Sequence, residues 1–71
     1  MNKELMKEME EVVAEFTVEF LKEVHEKFGY TNDDVANNEG GAYDALREGA
    51  KLILTLVYGQ ETAEEFNSII I

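Results

Sequence analysis

From Asn2 to Phe28 the apolar residues Leu5, Met9, Val12, Phe16, Phe20, Val24 and Phe28 recur at steps of three or four, with Met6 and Val13 beside them. Side chains on an α-helix return to the same face at that spacing, so the segment predicts one long amphipathic helix. Lys27 and then Gly29 supply a cation for its last turn and a residue free to adopt positive φ just beyond it. The helix should therefore stop at Phe28, with Tyr30 closing over Val24 or His25 in a Schellman-type contact.

Thr31-Asn-Asp-Asp34 offers a hydroxyl N-cap with a carboxylate three residues on, which predicts a short helix over Asn32–Asn38. Gly40 and Gly41 should break the chain, because two adjacent glycines cost a helix about 2 kcal/mol against alanine. Ala42 to Tyr58 then carries two parallel stripes at helical spacing. One is Tyr43, Leu46, Ala50, Ile53 and Val57, and the other is Ala42, Ala45, Gly49, Leu52 and Leu56. This third helix is apolar over more than half its circumference. Leu52–Tyr58 taken alone would pass for a buried strand, but there is no second strand for it to pair with. Gly59 is its stop, and Thr62 with Glu65 reads as a capping box that opens a last helix with Phe66, Ile69 and Ile70 on one side. The expected fold class is all-α: a single domain over residues 1–71, a small helical bundle with one long N-terminal helix, a short second helix, a central apolar helix and a short C-terminal helix.

Charge changes this picture from a fold to a surface. Sixteen Asp and Glu against six Lys and Arg leave a net charge of -10 over 71 residues. No basic patch is available for direct contact with nucleic acid or anionic lipid. The longest apolar run, Leu52–Tyr58, is far short of the roughly 20 residues that cross a bilayer. Glutamates and lysines in the first eleven residues do not read as a secretory leader, and the expected location is cytoplasmic.

The acid is not spread evenly. Projected at about 100° per residue, Glu4, Glu8, Glu11, Glu15, Glu19 and Glu26 fall within roughly an 80° arc of the first helix, opposite its apolar side. Lys22 is the single base inside that stripe. Like charges one turn apart repel by a few tenths of a kcal/mol each, so the arrangement works against the helix that carries it. A solvated face explains such a stripe in many small proteins. The sharper reading is a row of carboxylates about 33 Å long, 5–6 Å apart, that imitates a phosphate backbone toward a basic, nucleic-acid-handling protein. A small regulator or inhibitor of the kind that phages or mobile elements encode would use its glutamates in this way.

Candidate chemistry is sparse. One histidine, His25, and no cysteine cannot make a Cys/His zinc site or an HExxH site, so no metal and no cofactor are expected. The run Asn32–Gly41 is rich in acids and amides, but counting five back from either glycine gives Val35 or Ala36 where a calcium loop needs Asp. Ser68 has no histidine near it in sequence and no nucleophile elbow, and there is no phosphate-cradling glycine loop. Acidic helical carrier proteins share the size, yet their Asp-Ser-Leu attachment triplet is absent. An enzyme is not expected. The alternative function is a homo-oligomeric assembly module, expected as a homodimer meeting through Ala45, Gly49, Leu52, Leu56, Ile69 and Ile70. Two considerations favour assembly. Small domains seldom hold more than about 3–5 kcal/mol alone. A 27-residue helix of about 40 Å should also overhang a globule of roughly 29 Å diameter.

Overall fold

The computed structural model describes residues 1–70, Ile70 by its backbone only. Four α-helices follow one another: α1, Lys3–Phe28; α2, Asn32–Ala36; α3, Ala42–Tyr58; and α4, Gln60–Ile70, with a 3₁₀ turn at Glu39–Gly41 between α2 and α3. The all-α bundle with one long N-terminal helix is the architecture that the periodicity predicts.

The local signals act where the residue types impose them. Asn2 caps α1 by accepting from the Leu5 N–H at 2.7 Å. Gly29 takes φ 70°, its N–H donates to the His25 carbonyl at 3.1 Å, and the Tyr30 N–H reaches the Val24 carbonyl at 3.4 Å. The Gly29 bond is that of the αL cap and not of the expected Schellman pattern, in which the Tyr30 N–H would reach the His25 carbonyl, but the expected contact forms: Tyr30 packs with Val24 and stacks on Phe28 with ring centroids 5.7 Å apart. At α2 the capping box forms in both directions: the Asp34 N–H donates to Thr31 Oγ1 at 3.1 Å and the Thr31 N–H to Asp34 Oδ2 at 2.8 Å.

Two boundaries differ from expectation. Helix α2 ends at Ala36 rather than Asn38, because Asn38 turns left-handed (φ 59°) and becomes a cap for α3 instead. Its Oδ1 accepts from the Asp44 N–H and its Nδ2 donates to Asp44 Oδ2, both at 3.1 Å. Asparagine tolerates that backbone conformation because its short amide bonds locally. Helix α4 begins at Gln60, not with Thr62 as its cap. The Gly59 carbonyl accepts from the Ala63 N–H at 3.1 Å, so the helix starts directly after the glycine corner. Thr62 is therefore inside the helix, and Glu65 pairs with the Met1 ammonium at 3.0 Å.

The core is in two parts. Met9, Leu54, Ala63 and Phe66 form one cluster where the N-terminal half of α1 meets the C-terminal half of α3 and α4. Val24, Val35 and Ala42 form the other, where α2 and the start of α3 close on the far end of α1. Between them Gly49 admits Phe16: a Cβ on Gly49 would lie 2.5 Å from Phe16 Cζ. The overhang expected for α1 does not occur. The molecule is a rod of 38 × 18 × 17 Å, as long as α1 itself, and α1 has a fully buried or nearly buried residue toward each end, Met9 and Val24. Leu54, absent from both predicted stripes of α3, is the most deeply buried residue of that helix.

Leu54 is 1% exposed and Leu56 is 75% exposed, two positions apart on one helix. Leu54→Ala should cost about 2–5 kcal/mol in urea denaturation, whereas Leu56→Ala should stay within about 0.5 kcal/mol of the parent. Equal losses at the two positions would contradict this packing.

Candidate functional site

Three surfaces stand out. The first is the acidic face of α1, where Glu4, Glu8, Glu11, Glu15, Glu19 and Glu26 are all exposed. Among the described residues the two ion pairs are Met1 to Glu65 and Lys27 to Glu23, and neither involves the stripe. Five of its six carboxylates also have no hydrogen-bond partner among the described residues. Glu8 is the exception: the Tyr58 hydroxyl donates to its Oε1 at 2.9 Å, joining the end of α3 to the first third of α1. Sequence periodicity could not show this tether, since the two residues are fifty apart.

The second surface is the outer side of α3. Leu52 is 58% exposed, Leu56 more so, and Ala45 is exposed with them. Gly49, grouped with these three by spacing, lies against Phe16 of its own chain, which accounts for its missing side chain. Ile69 on α4 is exposed. The Ile70 side chain, also expected at an interface, is outside the described residues.

The third is a cleft of about 250 Å³ bounded by α1, α3 and α4. Val13, Leu46, Ala50 and Phe66 are among its walls, and Arg47 and Lys51 stand one turn apart on its edge. Sequence reading passed over this pair, although i,i+4 cations in so acidic a chain were the available signal.

The remaining candidates take structural positions. His25 Nε2 donates to Asn32 Oδ1 at 2.9 Å, bridging the α1–α2 corner on the surface. The Ser68 hydroxyl donates to the Glu64 carbonyl one turn back at 3.0 Å. Asp34, Asn38 and Asp44 are used in the caps described above. Among the described residues no group of three or more His, Asp or Glu side chains is placed to hold a metal ion, and no helix is long and apolar enough to cross a membrane.

The chain matches no protein-family model, and neither the curated proteins nor the solved structures include one similar to it. Its surfaces must therefore be read on their own chemistry.

Partial burial, then the hydrogen bond to Glu8, then the negative charge of Glu8 and Glu11 hold the Tyr58 phenol above its ordinary value. A raised folded pKa means that the neutral phenol is favoured by folding. Its contribution to stability is complete below the unfolded value of about 10 and is lost as pH rises through the folded one. Glu8→Gln should lower the Tyr58 transition in a 295 nm titration, with the wild-type minus Tyr58→Phe difference isolating that phenol. An unmoved transition would mean that the tether does not form in solution.

Proposed function

We propose that this chain is a non-enzymatic, acidic protein-binding regulator or inhibitor whose α1 glutamate face docks on the basic groove of a nucleic-acid-handling protein. The observation that carries the reading is that Glu4, Glu11, Glu15, Glu19 and Glu26, all exposed along one continuous helix, have no ion-pair or hydrogen-bond partner among the described residues. The stripe contains one base, Lys22, and among the described residues none of its carboxylates is ion-paired. Helix α1 is anchored by buried residues toward both ends, so the carboxylates are held in register before any partner arrives. Such preorganisation lowers the entropic cost of binding. Each carboxylate can accept charge-assisted hydrogen bonds from Arg or Lys, in the manner of a phosphate oxygen. That the chain is not an enzyme, that it is cytoplasmic and that it is of phage or mobile-element origin belong to this same proposal.

The test is capture of partners from host lysate at low and high salt, repeated with competing nucleic acid. A basic nucleic-acid-binding protein that is recovered at low salt, displaced by nucleic acid and lost with the Glu11→Lys/Glu15→Lys variant is the expected result. Affinity unchanged at 0.5 M salt, where the Debye length is only about 3–10 Å, would overturn it.

The exposure of Leu52 and Leu56 favours a second reading, a homodimeric assembly module that buries the outer face of α3. Light scattering should then give twice the monomer mass, and Leu52→Asp should return it to the monomer without lowering the melting temperature of the monomer itself. A monomeric wild type removes this reading and leaves the first untouched.

A further inference from the structure

Between its two core clusters the middle of α3 is only partly covered. α4 covers the end of α3 that holds Leu54 and borders the middle with Phe66 and Asn67, while α2 covers the end that holds Ala42. In the middle, Leu46 and Ala50 of α3 stay half-buried opposite Val13 of α1. The resulting cleft has an apolar interior, and a core layer is missing from it.

Its rim has the wrong charge for this protein. In a chain of sixteen acids and six bases, Arg47 and Lys51 both border the cleft, and both are partly buried with their stems against it. No carboxylate of the described residues lies within ion-pairing distance of either. The Arg47 guanidinium lies over the Tyr43 ring, 6.0 Å from its centroid. The same two cations also line a wider, open trough between α3 and α4, where Glu64 lies among the polar residues beyond the cleft. An occupant matching these features has an apolar body for the interior and an anionic head for the two cations.

We infer that the cleft between α1, α3 and α4 binds a small anionic amphiphile, a medium-chain fatty carboxylate, with its chain on Val13, Leu46, Ala50 and Phe66 and its head on Arg47 and Lys51. The volume limits the length of the chain. At about 250 Å³ the cleft is smaller than the roughly 300–1,000 Å³ typical of sites for drug-sized ligands. Each methylene buried there adds favourable transfer free energy, so affinity should rise with chain length until the interior is filled. The ammonium and guanidinium supply charge-assisted hydrogen bonds to the head, and the i,i+4 spacing puts both within reach of one carboxylate.

The decisive experiment uses the charge of the head as the variable. Sodium decanoate, 1-decanol and decyltrimethylammonium are titrated into the full chain below their aggregation concentrations, by calorimetry and by amide chemical-shift mapping. Decanoate should bind one to one, with shifts centred on Leu46–Lys51 and Phe66, and at least about tenfold more tightly than decanol. The cation should not occupy the cleft, although a net charge of -10 would by itself attract it. Arg47→Gln/Lys51→Gln should reduce decanoate affinity about tenfold or more and leave decanol unchanged. Ala50→Phe should abolish both by filling the space, and if that variant does not fold the charge variants decide alone. Absence of saturable decanoate binding, equal or tighter binding of the cation, or full affinity in the doubly neutralised variant would each overturn the proposal.

Discussion

Helix α3 is apolar over more than half its circumference, and no single neighbour can cover it. The rest of the fold answers to that constraint. Helix α1 takes one side along most of its length, and the chain then supplies short pieces for what is left: α2 at one end of α3, and α4, folded back at Gly59, at the other. Gly49 lets α1 come close enough for Phe16 to seat against the α3 backbone. Because the two covering pieces are short and lie at opposite ends, the core divides into two clusters, and the outer side of α3 keeps Leu52 and Leu56 in solvent. A domain of this size has little apolar surface to spare, so exposed leucines and a half-covered cleft are informative rather than incidental.

What could be read from the sequence follows the range of the interactions involved. The end of α1 and the start of α2 were legible because Gly29, Tyr30, Thr31 and Asp34 act on backbone groups within six residues of themselves. The end of α2 and the start of α4 were not. Asn38 is drawn out of the helix by Asp44, six residues on, and the Thr62–Glu65 box gives way to an earlier start at Gly59 and a pairing of Glu65 with the chain's first residue. Leu54 was missed for a related reason. When a helix is apolar nearly all round, periodicity cannot choose its inner face, and the choice is made by where α4 lands. Of the candidate site, the exposure of the glutamate face agrees with the face that periodicity assigned, whereas Ala45, Leu52 and Leu56 part from buried Ala42 and packed Gly49 of the same stripe, and exposed Ile69 parts from buried Phe66. The Tyr58–Glu8 tether and the walls of the cleft depend on contacts between helices, and the one local mark of the cleft is the i,i+4 spacing of Arg47 and Lys51.

That tether also ranks the acidic residues. A partner arginine at Glu8 would share the carboxylate with the Tyr58 hydroxyl, which occupies one acceptor site on Oε1 and leaves Oε2 open, whereas at Glu11 and Glu15 it would meet carboxylates with water as their only competitor. Glu8 is thus held by the end of α3, which fixes the orientation of its carboxylate and narrows the geometries in which an arginine could bind it bidentately. The residues that can give their full electrostatic attraction to a partner are those from Glu11 onward and Glu4.

The two charged surfaces can coexist because α1 separates them. On the helical projection Val13 and Thr17, which face the cleft, lie across α1 from Glu11, Glu15 and Glu19. A helix with its side chains is about 10–12 Å across, and at physiological ionic strength charges more than about 8 Å apart through solvent are largely screened. A ligand head in contact with Arg47 and Lys51 would be about 3–4 Å from two positive charges, where an effective dielectric near 20 leaves several kcal/mol of attraction per pair before desolvation is counted. The local pair therefore outweighs the distant majority. Net charge governs what approaches this protein from afar, and it does not govern what the cleft selects on contact.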